Sequence, residues 1–289
     1  MPLQLWCVMS KKSVITGLAF FLVSLVLSIV LFNLLIPKSD SKLTKADFLK
    51  QTTRTLNYVA IGDSLTQGVG DTTDQGGFVP ILAQALESKY GYTVHSENYG
   101  ISGNTSTQIL SRMKKQTKIQ TALKKADLMT LTVGGNDVMA VIRKNLTKLS
   151  VNSFKEPAKA YQKRLRSIIE VARQDNSTLP IYVLGIYNPF YLNFPDMTQM
   201  QEVIDNWNTA TEEVVKEYQN VYFVPINDAI YKGIDGKEGI VQTSGTQTNV
   251  LNDALFEGDH FHPNNIGYQI MSDQVMEKIS ETKDSWTKD

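Results

Sequence analysis

The first hydrophobic pattern along the chain is an uninterrupted apolar run near its N-terminus. Residues 14–36 contain no charged side chain, and ~20 apolar residues in a helix are enough to cross the hydrocarbon core of a bilayer. Lys11 and Lys12 precede the run and favour an N-terminus inside the cell, although three lysines between residues 38 and 45 weaken that assignment. The pattern predicts a transmembrane anchor, with a cleaved signal peptide as the alternative.

The polar segment after this run predicts a spacer. Pro37 ends the predicted helix, and residues 37–54 are polar and rich in lysine. The predicted organisation is therefore a cytoplasmic tail and anchor in residues 1–36, a stalk in residues 37–54 and a folded domain in residues 55–289, placed outside the cell. Met9 is an alternative start of the chain.

From residue 55 onward, short apolar runs alternate with amphipathic segments. Apolar residues recur at helical spacing in the amphipathic segments, and Trp207 belongs to one such stripe, which predicts that it lies in the core. Strands alternating with helices predict an α/β fold with a parallel sheet covered by helices on both faces. The predicted strands are residues 56–61, 92–98, 128–133, 181–186 and 221–226, and the predicted helices are 78–90, 105–126 in two pieces, 158–172, 203–218 and 265–279.

Composition excludes several classes of function. The 29 basic and 29 acidic side chains leave no net charge, so the chain lacks the basic footprint of a nucleic-acid-binding protein. Cys7 is the only cysteine and precedes the apolar run, which excludes disulfides and a thiol nucleophile in the folded domain, and also a lipoprotein anchor. The sequence has no His-Glu-x-x-His motif, no paired cysteines and no phosphate-binding loop, so it predicts neither a metal nor a cofactor.

Polar and glycine-rich clusters follow the predicted strands. Ligands of open parallel sheets bind beyond the carboxyl ends of the strands, so we expect these clusters to share one rim. Each cluster alone is typical of a turn, but together they supply every group that acyl transfer needs. The clusters are Gly62-Asp63-Ser64-Leu65, Gly100-Ile101-Ser102-Gly103-Asn104, Gly134-Gly135-Asn136-Asp137 and, after a long loop, Asp259-His260-Phe261-His262-Pro263.

Ser64 is the candidate nucleophile, and a serine hydroxyl needs a base that takes its proton. We assign His262 as that base, because the Asp259 carboxylate three residues earlier can reach its ring across one turn. His260 remains the alternative base. His95 lies inside the second predicted strand, away from the rim, and is expected to be structural.

Acyl transfer also needs hydrogen-bond donors for the oxygen that becomes negatively charged. The backbone N–H of Ser64, a glycine amide and the side-chain amide of Asn136 are the candidates, since a glycine without a Cβ lets its N–H approach closely. Asp63 is expected to brace the turn rather than react. Thr66 stands where a Gly-x-Ser-x-Gly elbow requires its second glycine, so the pattern is not that of the α/β-hydrolases.

Four segments together resemble the blocks of the GDSL/SGNH hydrolase superfamily. They are Ile61-Gly62-Asp63-Ser64-Leu65, Asn98-Tyr99-Gly100-Ile101-Ser102-Gly103-Asn104-Thr105, Gly134-Gly135-Asn136-Asp137 and Asp259-x-x-His262-Pro263. The resemblance extends from about residue 56 to the C-terminus. It implies a three-layer α/β/α fold of the flavodoxin-like kind, with five parallel strands in the order 2-1-3-4-5.

The resemblance also implies roles for individual residues. Ser64 would be the nucleophile, His262 the base and Asp259 the third member of a catalytic triad. The N–H groups of Ser64 and Gly103 and the Nδ2 of Asn136 would form the oxyanion hole, with Gly100 as the alternative to Gly103. The layout is similar to the secreted or membrane-anchored lipase/acylhydrolase branch of Gram-positive bacteria.

The predicted activity is that of a serine esterase or lipase, which cleaves carboxylic esters through an acyl-enzyme. Alternatives are an O-acyltransferase or a cell-wall carbohydrate O-deacetylase with the same triad, and a membrane-tethered binding protein whose triad has lapsed. Phe190 and Tyr191 are predicted either to form an apolar wall that contacts an acyl chain or to pack on the core of the domain. Residues 231–258 are predicted to be a long loop that serves as a lid or substrate-binding flap.

Overall fold

The computed structural model describes residues 11–35, 54–145, 148–189, 198–232, 240–244, 247–251, 254–285 and 287. The chain divides into two compact units, Met1–Thr52 and Thr53–Asp289. The first unit contains helix α1, Lys11–Leu35. Its stretch Ile15–Phe32 is apolar, unburied and long enough to cross a membrane, a property that signal sequences share. The predicted stalk lies outside the described residues except for Arg54.

The second unit is built around a sheet of five parallel strands. The strands follow the order β2-β1-β3-β4-β5, as the resemblance implies. The inner strand β1 is almost wholly buried, whereas the edge strand β2 is mostly exposed, which explains why the hydrophobic pattern of β2 is weaker. The strands are β1 Thr55–Gly62, β2 Thr93–Gly100, β3 Leu128–Thr132, β4 Ile181–Leu184 and β5 Val221–Val224.

Helices cover both faces of this sheet and complete a three-layer α/β/α fold. One layer contains α3 Phe78–Tyr90, α9 Asn227–Lys232 and α10 Asn265–Thr282. The other contains α4 Ser106–Lys115, α5 Thr117–Lys125, α6 Gly135–Lys144, α7 Lys155–Ala172 and α8 Thr198–Val215. Three short segments are helix α2, Ser64–Gln67, and the 3-10 turns Val151–Phe154 and Lys283–Ser285.

Alternate residues of the strands feed two separate hydrophobic cores. On β1, Tyr58 and Ala60 face the layer of α3 and α10, whereas Val59 and Ile61 face the layer of α4 to α8. Trp207 on α8 is buried and its ring lies 4.9 Å from that of Tyr161, so its predicted core position is confirmed.

The strand register brings the carboxyl ends of the strands to one rim. Gly62 at the end of β1 pairs with Gly100 at the end of β2, and Leu184 of β4 pairs with both Thr132 of β3 and Val224 of β5. The clusters that follow these strands therefore start at a common edge, as the sequence predicts.

Two predictions of secondary structure are wrong or incomplete. Residues 231–258 are not a loop throughout, because β6 (Ile240–Ser244) and β7 (Gln247–Leu251) pair as an antiparallel hairpin. The sequence signal is two runs rich in Val, Thr and Gln, separated by two residues. Helices α2, α6 and α9 also have no counterpart among the predicted elements, and the first residues of α2 and α6 belong to the glycine-rich clusters of the rim.

Candidate active site

Ser64 is the first residue of α2 and directly follows β1 through Asp63. The Asp63 carboxylate caps this short helix, since its Oδ1 accepts hydrogen bonds from the Leu65 N–H at 3.1 Å and the Thr132 hydroxyl at 2.8 Å. Burial raises the pKa of Asp63 above its usual value. Asp63 thus braces the turn that presents Ser64, as the sequence predicts.

His262 lies within hydrogen-bonding distance of Ser64. Its Nε2 is 2.9 Å from Ser64 Oγ, and its Nδ1 is 2.6 Å from Asp259 Oδ2. The structure therefore joins the three predicted side chains in one continuous chain of hydrogen bonds. His260 occupies an exposed turn with a φ of 50°, and His95 is exposed on the edge strand β2.

Backbone hydrogen bonds fix the orientation of the Asp259 carboxylate. Its Oδ1 accepts from the N–H groups of Phe261 and His262 at 2.9 and 3.0 Å, which leaves Oδ2 for the imidazole. Burial alone would raise the pKa of Asp259, but the hydrogen bonds from the side chain and N–H of His262 and from Phe261 outweigh it and lower the pKa. The group opposite His262 is therefore ionised at neutral pH.

A tyrosine hydrogen bond that sequence reasoning missed anchors the histidine loop. Tyr187, which follows β4, is buried, and its hydroxyl donates to the Phe261 carbonyl at 2.6 Å. On the other side of the loop, the Phe256 N–H donates to the His262 carbonyl at 2.8 Å. These two bonds hold the backbone on both sides of the imidazole, and neither has a sequence signature.

The predicted oxyanion donors lie on two rim segments besides that of Ser64. Asn136 is in the first turn of α6, and its Nδ2 donates to the Asn104 carbonyl at 3.1 Å. Gly103 has a φ of 75°, which favours glycine, and within the described part of the chain its N–H has no hydrogen-bond partner. The Gly100 N–H instead donates to Asn98 Oδ1 at 2.9 Å, which favours Gly103 over Gly100.

An apolar pocket opens beside Ser64. Its wall includes Asn136 but, among the described residues, not Gly103, which lies on the exposed loop after β2. A second apolar cavity adjoins it along α6 and shares part of its wall, and we call the two cavities together the apolar channel. Beside Ser64 the channel is lined by Leu65, Val133, Ile186, Tyr187, Pro189 and Phe261, and its distal part by Val138, Met139, Ile142, Met200 and Ile204.

One sequence prediction about this site concerns residues that the structure does not describe. Phe190 and Tyr191 lie outside the described residues, so their predicted contact with an acyl chain stays a prediction. Within the described ranges, no three or more His, Cys, Asp or Glu side chains are grouped as a metal ion would need.

Comparisons with known proteins agree with this architecture. Residues 60–270 match the GDSL-like lipase/acylhydrolase family. The chain is 33% identical to the protein YpmR of Bacillus subtilis over 223 residues, which cover 77% of this chain and 80% of YpmR. It is 27% identical to the spore germination lipase LipC of Bacillus licheniformis over 227 residues, which cover 76% of this chain and 95% of LipC.

Solved structures share the fold at lower identity. The lipase Lip_vut3 from a goat rumen metagenome superposes with a TM-score of 0.63 at 24% identity, covering 78% of this chain and 97% of that one. The acetylxylan esterase Axe2 of Geobacillus stearothermophilus superposes with a TM-score of 0.55 at 21% identity, covering 78% and 94%. Both comparisons place the second unit in the same three-layer architecture.

Proposed function

This chain belongs to the GDSL-like lipase/acylhydrolase family and is a carboxylic ester hydrolase, and we propose that it works through an acyl-enzyme on Ser64. The observation that supports this proposal is the chain of hydrogen bonds from Asp259 through His262 to Ser64 Oγ, with distances of 2.6 and 2.9 Å. Both distances suit proton transfer without a large rearrangement.

In the first half of the reaction, His262 Nε2 takes the proton of Ser64 as Oγ attacks the ester carbonyl carbon. The protonated imidazole then gives this proton to the leaving alkoxide, and the acyl group stays on Oγ. Asp259 stabilises the imidazolium and keeps Nδ1 as the donor. In the second half, His262 takes a proton from water as the water oxygen attacks the acyl carbon. The protonated imidazole then gives this proton to Ser64 Oγ as the bond between the acyl group and Oγ breaks, which releases the carboxylic acid and restores Ser64.

Negative charge forms on the carbonyl oxygen in both halves. We assign its stabilisation to the N–H groups of Ser64 and Gly103 and to Nδ2 of Asn136, which come from three rim segments. An Asn136 amide that already donates one hydrogen to Asn104 has its second hydrogen left for the oxyanion.

The apolar channel supports a substrate with an acyl chain longer than acetyl. An extended chain attached to Ser64 would replace water along the channel, and each buried methylene contributes ~0.8 kcal/mol. A polar acetylated sugar would gain little from such a wall. We therefore place an aliphatic ester ahead of a carbohydrate O-acetyl group as the substrate.

We also place this reaction outside the cell. Lys11 and Lys12 precede the apolar stretch of α1 and favour the cytoplasmic side for the N-terminus, which would leave the second unit on the outer side. Intact cells that express the chain should then hydrolyse a charged ester that cannot cross the membrane. Activity that appears only after lysis would contradict this location.

The decisive experiment compares the purified protein with Ser64→Ala on p-nitrophenyl esters from acetate to dodecanoate. We expect Ser64→Ala to fall to background, since loss of a serine nucleophile costs up to ~10⁶ in kcat. Ser96→Ala, which removes an exposed hydroxyl on β2, is the matched control and should keep full activity. Turnover that survives in Ser64→Ala would overturn the acyl-enzyme.

The same series separates the alternatives. Rates that rise from acetate towards octanoate support the acyl channel, whereas a sharp optimum at acetate would favour the O-deacetylase. Adding an alcohol acceptor tests the O-acyltransferase, because a transferase forms the new ester faster than it releases the free acid.

A further inference from the structure

Arg112 on α4 binds three segments of the rim at once. Its Nε donates to Asn104 Oδ1 at 2.8 Å, one terminal nitrogen to the Tyr99 carbonyl at 3.1 Å and the other to the Gly62 carbonyl at 3.0 Å. Gly62 lies two residues before Ser64, and Tyr99 precedes the loop of Gly103. The guanidinium thus connects the backbone of the nucleophile to that of an oxyanion donor.

Asn104 extends this connection to the third donor. Its side chain accepts from Arg112, and its backbone carbonyl accepts from Asn136 Nδ2 at 3.1 Å. Asn104 also directly follows Gly103 and is buried, with 9% of its surface exposed. A displacement of Asn104 would therefore move the Gly103 N–H and the Asn136 amide together.

We propose that Arg112 is a positioning residue, which sets the geometry of the oxyanion hole by holding Asn104 in place. This inference rests on the proposed function, because it assigns Arg112 a role in that reaction. Arg112 is not among the described residues that line the pocket beside Ser64, so its guanidinium acts through the amide of Asn136 and the N–H of Gly103. Its effect should therefore appear in the stabilisation of the transition state rather than in ground-state binding.

An arginine is suited to this task because its planar fork carries five donors in a fixed geometry. A lysine would supply one flexible charge and could not hold three carbonyl oxygens in a plane. Burial lowers the pKa of Arg112, yet an arginine stays charged in proteins, so these bonds remain charge-assisted.

The chain offers a matched control in Arg173. Its Nε and a terminal nitrogen donate to the Leu179 carbonyl at 2.9 and 2.7 Å, and the terminal nitrogen donates to the Asn220 carbonyl at 3.0 Å. These carbonyls precede β4 and β5, so they lie at the amino ends of the strands, at the end of the sheet opposite the rim. Arg173 is half-buried like Arg112 and clamps backbone in the same manner, but far from Ser64.

The test uses the full chain solubilised in mild detergent, with p-nitrophenyl butanoate as substrate. We expect Arg112→Met to lower kcat ~10- to 100-fold, the range for misplaced catalytic groups, with KM changed less than about twofold. Arg112→Lys should recover part of the loss. Arg173→Met should lower the melting temperature but leave kcat within about twofold. An unchanged kcat in Arg112→Met, or an equal loss in Arg173→Met, would overturn the inference.

A double-mutant cycle tests whether Arg112 acts through Asn136. In an Asn136→Ala background only the effect through the Gly103 N–H remains, so Arg112→Met should lower kcat by a smaller factor than in the parent protein. A full additive loss would contradict the inference. If Arg112→Met does not fold, Asn104→Ala takes its place, because it removes only the acceptor of Nε and should lower kcat in the same way. Failure of the proposed function would appear separately, as activity of Ser64→Ala.

Discussion

At the scale of single residues, the Asp71 carboxylate organises the loop between α2 and α3. Its Oδ1 accepts from the N–H and hydroxyl of Thr73, and its Oδ2 accepts from the N–H groups of Gln75, Gly76 and Gly77, at distances of 2.5 to 3.1 Å. The same loop packs closely against the segment that carries His262. At Gly70 the contact is so close that a Cβ would lie 2.4 Å from the Pro263 carbonyl oxygen and 3.4 Å from His262 Cβ.

This carboxylate should make the stability of the fold depend on pH. Burial alone would raise the pKa of Asp71, but the hydrogen bonds, led by the Thr73 hydroxyl, lower it below the usual value. A group with a lowered folded pKa stabilises the fold above its unfolded pKa of ~3.9, and this contribution is lost as the pH falls through the folded pKa.

We expect Asp71→Asn to lower the free energy of unfolding by ~1–2 kcal/mol at pH 7, because the new NH₂ would face backbone donors. The difference from the parent protein should shrink as the pH falls below the unfolded pKa of ~3.9 towards the lower folded pKa of Asp71. Urea unfolding followed by circular dichroism at pH 7, 5 and 3.5 measures both the loss of stability at pH 7 and its decrease at low pH.

Asp74→Asn is the matched control for this prediction. Asp74 lies in the same loop, is exposed and has a φ of 54°, which asparagine tolerates well. A loss of stability equal to that of Asp71→Asn, or a loss in Asp71→Asn that stays constant down to pH 3.5, would contradict the role of the Asp71 carboxylate.

At the scale of elements, the site is assembled from the first residues after each strand. The sequence pattern indicated Ser64 and Asn136, because their polar clusters directly follow apolar strands. It indicated the Asp259–His262 pair, because their polar cluster directly precedes a final amphipathic helix. The two helical layers follow from the same alternation, whereas the order of the strands is implied by the resemblance alone.

Other parts of the site could not be predicted from the pattern. Arg112 and Tyr187 donate hydrogen bonds to backbone carbonyls that are distant in sequence. Arg112 is 50 positions from Gly62, and Tyr187 is 74 positions from Phe261. A carbonyl acceptor leaves no trace in the residue type. Helix α6 begins with Gly135, a poor helix former, so its amphipathic character was hidden by the glycine-rich cluster.

Helix α6 carries part of the apolar channel, which gives a prediction at this scale. Ile142→Trp should fill the distal part of the channel, so that kcat/KM for p-nitrophenyl octanoate falls ~10-fold while that for butanoate changes less than about twofold. The measurement is the acyl-length profile of the purified variant.

Arg143→Trp adds the same side chain to the neighbouring, exposed position of α6 and is the matched control. It should leave the profile unchanged. If both variants shift the profile alike, or if Ile142→Trp lowers all esters equally, the distal residues of α6 do not set the acyl length.

At the scale of the whole molecule, the chain separates an apolar helix from a folded catalytic unit. The sheet, both hydrophobic cores and the predicted catalytic residues all belong to the unit Thr53–Asp289. The apolar stretch of α1 belongs to the other unit, and its large side chains are exposed within the described residues.

A chain that begins at residue 53 should therefore fold and act without the first unit. We expect it to stay in solution without detergent, with a melting temperature within ~2 °C of the full chain and kcat/KM on p-nitrophenyl butanoate within about twofold. The full chain should sediment with membranes. Placing arginine at Leu22 and Val26 of α1 should move it towards the soluble fraction, since each charge costs ~2.5–3.5 kcal/mol at the bilayer centre. A truncated chain that aggregates, or that melts without a cooperative transition, would show that residues 1–52 contribute to the fold of the catalytic unit.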